Sequence, residues 1–309
     1  MSGEHGHEHE HGHGAAVSAD SDRRYLTGAL GLILAFMAAE VTVGLASRSL
    51  ALISDAGHML TDAASLGLAL FAMRLAARPA SGPWTYGLRR AEILSAQANG
   101  ITLLVLVVVF TYEAVRRLVE PPIVAGGAVT VTALVGIAVN AAAALLISRA
   151  NRTSLNVEGA FQHILNDAWA FLATAISGIV VLTTGFNRAD AIASLLVAAL
   201  MLRSGLLLLR AAGRVLLEGA PEGVDPQAVG HALAAYPGVV EVHDLHIWEV
   251  TSGFPALAAH VLVKPGDDCH GVRRSLQAMV GERFGIEHVT LQVDHAPAGD
   301  RLLEIETRR

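Results

Sequence analysis

The chain has 309 residues, of which 53% are hydrophobic and 16% are charged. Soluble domains usually carry about 25% charged residues, so this composition favours a membrane protein. The formal net charge of −6 argues against a nucleic-acid partner, and the single cysteine, Cys269, excludes an intramolecular disulfide.

The N-terminal tail is acidic and rich in histidine. Its histidines alternate with Gly and Glu, at His5, His7, His9, His11 and His13. No basic segment leads directly into an apolar core, so the tail does not have the pattern of a signal peptide. Low-complexity histidine tracts are disordered and bind divalent metals weakly. We therefore predict a disordered cytoplasmic tail over residues 1–22 that either captures metal or is dispensable.

Six apolar stretches follow the tail, each close to the length of about 20 residues that a transmembrane helix needs. They cover residues 25–46, 50–75, 91–118, 124–147, 157–184 and 189–209. The arginines near one set of helix ends are Arg23, Arg24, Arg74, Arg78, Arg89, Arg90, Arg149, Arg152, Arg210 and Arg214, against Arg48, Arg116, Arg117 and Arg188 near the other. By the positive-inside rule, this asymmetry places both termini in the cytoplasm, which requires an even number of spans.

Residues 215–296 have the composition of a soluble α+β domain. Asp225 as N-cap and Pro226 at the first helical position predict a helix that ends near Tyr236. Alternating segments at 243–250 and 256–264 flank a turn, which indicates a hairpin. A helix over 269–284 and a strand over 288–293 complete an αββαβ, ferredoxin-like order. The last residues, 297–309, are predicted to form a tail.

A His-x-x-x-Asp motif occurs in two different spans. His58 and Asp62 form the first pair, in the second span, and His163 and Asp167 form the second pair, in the fifth span. Positions i and i+4 lie one turn apart on the same helix face, so each motif presents an imidazole beside a carboxylate. Two such helices facing each other supply two nitrogen and two oxygen ligands, a set that zinc accepts in tetrahedral geometry. The alternative is an interhelical hydrogen bond that only stabilises the bundle, and the presence of two identical pairs weakens it.

Charge balance extends this hypothesis to transport. A charged side chain at mid-bilayer costs at least about 2.5 kcal/mol, so Asp62 and Asp167 need to be neutralised. One Zn²⁺ or two protons would each bring the set of two carboxylates and two neutral imidazoles to zero net charge. Because ligands lose protons when they bind metal, this composition predicts proton-coupled antiport. Asp55, one turn before His58, is either a relay carboxylate or a residue near the outer water boundary.

Other polar residues within the spans receive a structural interpretation. Gln97, Asn99 and Asn140 lie inside apolar stretches. Interhelical hydrogen bonds are the usual role of amide side chains in membrane helices. We therefore predict such bonds for these three residues first, and a cavity-lining role second.

Three runs of sequence resemble a known family. The run SDAGHMLTD, residues 54–62, resembles the second-span signature of the cation diffusion facilitator family, in its zinc, cobalt and cadmium branch. The run YGLRRAEI, residues 86–93, is similar to the start of that family's third span. The run HDLHIW, residues 243–248, is similar to the first strand of its cytoplasmic domain. The resemblance covers residues 22–296.

The resemblance implies a homodimer that works by alternating access and prefers zinc. The transport ligands that it implies are His58, Asp62, His163 and Asp167. The cytoplasmic metal ligands that it implies are His243, His260 and Asp294, with His288 as a substitute near a further family position, and with His246 and His270 as outside candidates. A zinc ion there would steady the dimer or sense cytoplasmic metal. The alternative is that these histidines are merely tolerated on a solvated sheet. The loop at residues 78–85 lacks the Asp and His ligands of an additional family site, which is predicted to be absent.

The sequence thus predicts a membrane all-α six-helix transporter bundle, residues 23–214, followed by a cytoplasmic α+β ferredoxin-like domain, residues 215–296. The predicted function is proton-coupled efflux of zinc, or a similar divalent metal such as cadmium or cobalt, across a bacterial inner membrane. Its predicted partners are the metal ion, protons, the membrane and a second copy of the chain. An intramembrane zinc enzyme is the first alternative, but it would need an open coordination position and a general base. A passive channel or a metal sensor is the third possibility, which dependence on a pH gradient would separate from an antiporter.

Overall fold

The structure is a computed structural model that describes the backbone of residues 13–47, 50–120 and 126–297. Side chains are described from Asp22 onward, apart from residues 43–44, 46–47, 50–58, 126–129 and 132 within these ranges. The chain divides into two compact units, Met1–Ala212 and Gly213–Arg309.

The first unit is a bundle of long apolar helices. They are α1 (His13–Ser47), α2 (Leu50–Ala76), α3 (Ala91–Val119), α4 (Gly126–Ile147), α5 (Leu155–Thr184) and α6 (Ala189–Leu216). Five of them are long and apolar enough to cross a membrane, and α4 contributes a shorter apolar stretch, Ala133–Ile147. The predicted all-α membrane bundle is confirmed.

Two helices extend beyond their predicted bounds. α1 begins at His13, within the tail that was expected to be disordered, and α6 continues to Leu216 rather than ending at 209. The segment added to α1 contains three alanines and two arginines, and the segment added to α6 contains two of each; both residue types favour helix even outside an apolar span. The histidines at positions 5–11 lie outside the described residues, so their role stays a prediction.

The core of the bundle is formed by α1, α2, α4 and α5. Its largest buried members are Leu26, Ile33, Met59, Leu66, Ile147 and Ile164. Small residues let α6 approach α3 closely, because a Cβ placed on Gly100 would lie 2.9 Å from the Leu209 side chain and 3.4 Å from the Gly205 carbonyl oxygen. Such close backbone contact is typical of packed membrane helices.

Polar contacts join the helices at both ends of the bundle. The end where α2 stops and α3 and α5 begin carries Arg74, Arg78, Arg89, Arg90 and Arg152, and is called the arginine-rich end below. There the Ser154 hydroxyl donates to Glu92 at 3.4 Å, which links the starts of α5 and α3. At the opposite end, Arg117 of α3 pairs with Asp190 of α6 at 3.0 Å.

The polar residues predicted to join helices behave differently from one another. The Asn140 amide nitrogen donates to the Gly136 carbonyl oxygen of its own helix at 3.1 Å, so the predicted interhelical bond was wrong for this residue. The buried Asn99 amide nitrogen has no hydrogen-bond partner among the described residues. A side chain in mid-helix can bond the carbonyl four residues earlier as readily as a neighbouring helix, which sequence alone does not decide.

The second unit contains α7 (Pro226–Ala234), β1 (Val239–Glu249), β2 (Pro255–Val263), α8 (Cys269–Phe284) and β3 (His288–His295). The strands form one sheet in the order β1-β2-β3, in which β2 runs antiparallel to β1 and parallel to β3. The Asp225 carboxylate caps α7 by accepting from the backbone N–H of Gln227 at 3.0 Å, and Pro226 occupies the first turn. The predicted αββαβ domain is confirmed.

The two faces of this sheet differ in what covers them. Alternate residues of β2, among them Leu257 and Val261, pack with α7 and α8 in a buried core that also holds Leu276. The opposite face carries the residues between them, including the exposed His260. This alternation follows from the two-residue period of a strand, and it places the histidines of β1 and β2 on the face opposite α7 and α8.

Candidate functional site

Three of the predicted transport ligands meet inside the helical bundle. The imidazole Nε2 of His163, on α5, lies 3.0 Å from Asp62 Oδ1, on α2. The same nitrogen lies 3.9 Å from Asp167 Oδ2, one turn along α5. One ligand atom from each of the three residues lies within 4.8 Å of the other two. The two motif-bearing helices therefore face each other, as the sequence predicted.

The fourth predicted ligand and its neighbour are not described at this level. His58 and Asp55 belong to the backbone of α2, but their side chains lie outside the described residues. The geometry of the cluster is therefore that of Asp62, His163 and Asp167, and the four-ligand set stays a prediction.

The cluster is buried in the bundle, where the low dielectric strengthens electrostatic interactions. Asp62 is 5% exposed and His163 is fully buried, and the second imidazole nitrogen, Nδ1, has no hydrogen-bond partner among the described residues. Two carboxylates this close together repel each other strongly in a low-dielectric interior unless a cation or a proton lies between them. The arrangement therefore favours a positively charged occupant.

The distances suit a small metal ion. A tetrahedral zinc with bonds of about 2.0 Å separates its ligand atoms by about 3.3 Å. The separations from His163 Nε2 to Asp62 and Asp167, 3.0 and 3.9 Å, lie on either side of that value. Small side-chain movements would bring all three ligand atoms into the first coordination sphere of one ion.

A cavity of about 120 Å³ adjoins the two carboxylates, which leaves room for several water molecules. Its lining residues are Met59, Thr61, Asp62, Leu106, Phe110, Asp167, Ala170, Phe171 and Thr174. Ala170 and Thr174 follow Asp167 along α5, and Phe110 lies in the second half of α3. The cavity therefore extends from the carboxylates away from the arginine-rich end.

One wall of the cavity depends on a glycine of a neighbouring helix. A Cβ added to Gly136, on α4, would lie 2.5 Å from the ring of Phe171. Real side chains do not approach so closely, so any larger residue would displace that ring. Gly136 thus allows Phe171 the position from which it lines the cavity.

A second cluster lies on the sheet of the other unit. His243 on β1 and His260 on β2 are direct partners in the antiparallel register, as predicted, and their rings lie 5.3 Å apart between centroids. Asp244 joins them, with one ligand atom from each of the three residues within 4.8 Å of the other two. Two imidazoles and a carboxylate form a donor set suited to zinc.

The sequence did not predict Asp244 as a member of this cluster. Strict alternation along β1 would turn it away from His243, but the register shifts between His243 and His246, where β1 has one extra residue. Asp244 adopts a φ of 49° at this irregularity. Asp is one of the few residues that tolerate this left-handed conformation. An Asp beside the histidine was the one signal available in the sequence.

The remaining candidates of this domain lie outside the cluster. Parallel pairing sets Gln292 opposite His260, while Asp294 pairs with Leu262 and accepts from the Gln292 amide at 2.9 Å. His288 begins β3, about 13 Å along the strand from Gln292, and its ring lies 5.6 Å from that of Phe254. Asp294 therefore lies two residues, and His288 four residues, from the position opposite His260, and neither belongs to the three-residue cluster; as ligands they stay predictions.

His246 and His270 also lie apart from the cluster. His246 pairs with Ala258, beyond the register shift, and His270 is exposed in the first turn of α8. Asp268 caps that helix, and donation from the Gly271 amide holds the pKa of the Asp268 carboxyl below its ordinary value. The sheet cluster thus consists of three residues, two of them predicted.

Family comparisons match both units of the chain. The family described as the cation efflux transmembrane domain matches residues 26–217. The family described as the cation efflux protein, cytoplasmic domain, matches residues 221–296.

Individual relatives match along most of their length. A "Cadmium, cobalt and zinc/H(+)-K(+) antiporter" of Bacillus velezensis is 36% identical over 281 residues, covering 89% of this chain and 90% of the relative. The "Metal cation efflux system protein CzcD" of Cupriavidus metallidurans is 38% identical, covering 89% and 88%. The "Zinc transporter ZitB" of Escherichia coli is 35% identical, covering 90% and 89%.

The family of the chain follows from these matches. The two matching families cover the two units in order. The named relatives are transporters, which confirms the prediction that the chain is not an enzyme. The helices of the first unit make it a multi-pass membrane protein. The chain belongs to the cation efflux family of membrane transporters.

Proposed function

We propose that this chain exports zinc, and similar divalent metals, from the cytoplasm in exchange for protons. Asp62, His163 and Asp167 bind the ion, and His58 is the predicted fourth ligand. The observation that carries the proposal is the meeting of two carboxylates and one imidazole, with ligand atoms within 4.8 Å, on two buried helix faces. Ionisable residues inside a membrane are costly in hydrocarbon and usually mark a substrate or ion pathway, which favours a functional site here.

Proton exchange follows from what occupies the site when the metal leaves. His163 Nε2 and Asp62 Oδ1 share a hydrogen bond of 3.0 Å, so a proton lies between the two atoms that would both bind the ion. Metal binding has to displace this proton, and metal release allows protons to return. One divalent ion, or two protons in addition to those of the neutral imidazoles, neutralises the two carboxylates, so the site does not carry an uncompensated negative charge while it changes its access.

The cavity and the arginines suggest the direction of transport. We place the arginine-rich end and both termini in the cytoplasm by the positive-inside rule, and the protein in a bacterial inner membrane. The cavity beside Asp62 and Asp167 then extends towards the outside. In this conformation the cavity leads from the site towards the outer side, from which protons arrive and to which the metal departs. Uptake from the cytoplasm would use a second conformation.

The named relatives support the range of cargo. The Bacillus relative is named for cadmium, cobalt and zinc and for protons and potassium, and the Escherichia relative is named for zinc. The His and Asp ligands of the helical cluster suit the same ions, since imidazole and carboxylate bind zinc readily and do not exclude cobalt or cadmium.

The second part of the proposal is a zinc ion that stays bound to the second unit. His243, Asp244 and His260 would hold it, on the sheet face opposite α7 and α8, and a fourth ligand would come from solvent or a second copy of the chain. The match to a domain family named ZT_dimer supports a homodimer. The ion would steady that dimer or report the concentration of metal in the cytoplasm.

Reconstitution into sealed vesicles with an imposed pH gradient tests the function. We expect zinc to move in the direction opposite to the protons. Dissipation of the pH gradient should stop the accumulation of zinc. Asp62→Asn and Asp167→Asn should each abolish transport, because an amide cannot neutralise the ion or exchange a proton. Glu113→Gln is a matched control, since it removes a carboxylate of the same bundle that pairs with Arg117 outside the cavity.

Two results would contradict the proposal. Full zinc transport by Asp62→Asn and Asp167→Asn, inserted at wild-type levels, would remove the site from the transport path. Zinc flux that follows its own gradient and ignores the pH gradient would make the protein a passive channel.

A further inference from the structure

A buried asparagine joins the two helices that carry the transport site. Asn156, on α5, is fully buried, and its amide nitrogen donates to the Ala69 carbonyl oxygen of α2 at 2.9 Å. Because the acceptor is a carbonyl oxygen, the amide must present its nitrogen there, which fixes the orientation of the group. This is a direct polar contact between α5 and α2 at a position that the motif pattern did not single out.

The contact between Asn156 and Ala69 is related to the contact between His163 and Asp62 by the same spacing along both helices. Ala69 follows Asp62 by seven residues along α2, and Asn156 precedes His163 by seven residues along α5. Seven residues are almost two full turns, about 10.5 Å, and return to nearly the same helix face. The contacts between Asn156 and Ala69 and between His163 and Asp62 therefore lie on the same two facing surfaces, two turns apart.

Two contacts at this spacing constrain the helices more than either does alone. A single contact leaves α5 free to pivot about it, whereas two fix both the rotation and the sliding of α5 against α2. A slide of one residue, about 1.5 Å, perpendicular to a bond of this length would stretch it to about 3.3 Å, beyond the usual range for N–H···O bonds. The amide thus holds His163 and Asp62 at the same depth, which the metal site requires.

The amide of Asn156 also has a cost, which its bond to α2 has to offset. Its oxygen, Oδ1, is buried and has no hydrogen-bond partner among the described residues. An unpartnered polar atom of this kind lowers stability, and an apolar side chain of similar size would avoid that loss. The benefit of the amide therefore lies in its directed bond to α2.

A second asparagine of the bundle provides the contrast. Asn140 is also fully buried, its nitrogen also donates to a backbone carbonyl oxygen, at 3.1 Å, and its Oδ1 also lacks a partner among the described residues. Its acceptor, however, is Gly136 of the same helix. The two residues share burial and chemistry and differ in whether the bond crosses between helices.

We propose that Asn156 is a positioning residue for the transport site, which sets the register of α5 against α2 so that His163 and Asp62 converge on one ion. This inference rests on the proposed function of that site. Asn156 touches neither the ion nor the cavity, so it acts through the placement of His163. Its removal should weaken metal capture more than it slows the movement of captured metal.

Zinc transport by Asn156→Leu and Asn140→Leu in the vesicle assay tests the inference. We expect Asn156→Leu to raise the half-saturating zinc concentration about tenfold, the lower end of what is lost when a metal ligand is no longer well oriented, and to leave the maximal rate within about twofold. Asn140→Leu should leave both values within about twofold. Asn156→Gln, which keeps a donor on a longer side chain, should fall between wild type and Asn156→Leu.

The results that would overturn the inference are separate from those that would overturn the function. An unchanged half-saturating concentration in Asn156→Leu, or equal losses of maximal rate in the two leucine variants, would make Asn156 an ordinary packing residue. If all Asn156 variants fail to accumulate as folded protein while Asn140→Leu accumulates normally, the residue is required for folding and the inference fails. Absence of pH-dependent zinc transport by the wild type would instead defeat the proposed function.

Discussion

The two candidate metal-binding clusters of this chain are built from similar side chains on opposite kinds of surface. In the helical unit, His163 and Asp62 are almost fully buried between two apolar helices. In the other unit, His260 and Asp244 are exposed on the face of a sheet. Leaving the first cluster charged and without a bound cation costs free energy, because it is buried in an apolar bundle. Water solvates the second cluster whether or not a metal ion is bound.

This difference indicates different tasks. A buried site that needs a cation or protons at all times is suited to exchange one for the other. An exposed site that tolerates being empty is suited to occupancy that follows the metal concentration around it. In the proposed function, the same imidazole and carboxylate side chains would transport metal in the helical unit and respond to metal on the sheet, because their environments differ.

Loss of one histidine from each cluster should separate the two sites most strongly. Even residues that only orient a metal ligand are worth about 10- to 100-fold in affinity, so His163→Ala should reduce zinc transport more than about 100-fold. His260→Ala should retain transport at saturating zinc, because its site lies outside the bundle. The measurement is zinc uptake into vesicles at matched protein content. Equal losses in the two variants would mean that the sheet cluster belongs to the transport path.

The cavity wall offers a smaller and purely steric test. Gly136→Ala should push the Phe171 ring, which the new Cβ would meet at 2.5 Å, with an overpacking loss of about 1–3 kcal/mol. Because that ring lines the cavity, the maximal transport rate should fall. Gly67→Ala is the matched control, since nothing lies within 4 Å of a Cβ there. If the two variants transport alike, the cavity is not part of the path.

Asp244 allows ligation and backbone strain to be separated. Asp244→Gly relieves the left-handed φ of 49°, and Asp244→Val worsens it by about 1–2 kcal/mol. Without zinc, the valine variant should therefore unfold at a lower temperature than the glycine variant. Both should lose most of the rise in Tm that zinc gives the wild type, because ligand binding to the native state alone is stabilising. A full zinc-dependent rise in Asp244→Gly would show that Asp244 is not a ligand.

The smallest expected effect concerns pH and lies away from both clusters. The folded state lowers the pKa of Asp268, so this carboxylate adds stability above its unfolded pKa of about 3.9, and that stability is lost as pH falls through the lower, folded value. Asp268→Asn keeps a cap but removes the charge, so it should lessen the decline of Tm between about pH 5 and pH 3. If the decline of Tm is unchanged in this variant, groups other than Asp268 cause it.

Much of the fold could be predicted because its signals are local. Apolar stretches of bilayer length gave the helices, and the N-cap Asp225 with Pro226 gave the start of α7. The pairing of His243 with His260 followed from two alternating segments around a short turn. Sequence failed where a single residue had a choice of partners, as with Asn140, which bonds its own helix, and Asp244, which a register shift turns towards His243.

By itself, the sequence determined which side chains stand together on one helix. The spacing of His163 and Asp167 places them one turn apart wherever the helix lies, because an α-helix repeats every 3.6 residues. Only the tertiary structure decided that α2 brings Asp62 to within 3.0 Å of His163, that Asn156 bonds α2 two turns away, and that a cavity opens beside the carboxylates. Contacts between helices depend on packing across the whole bundle, which no local period encodes.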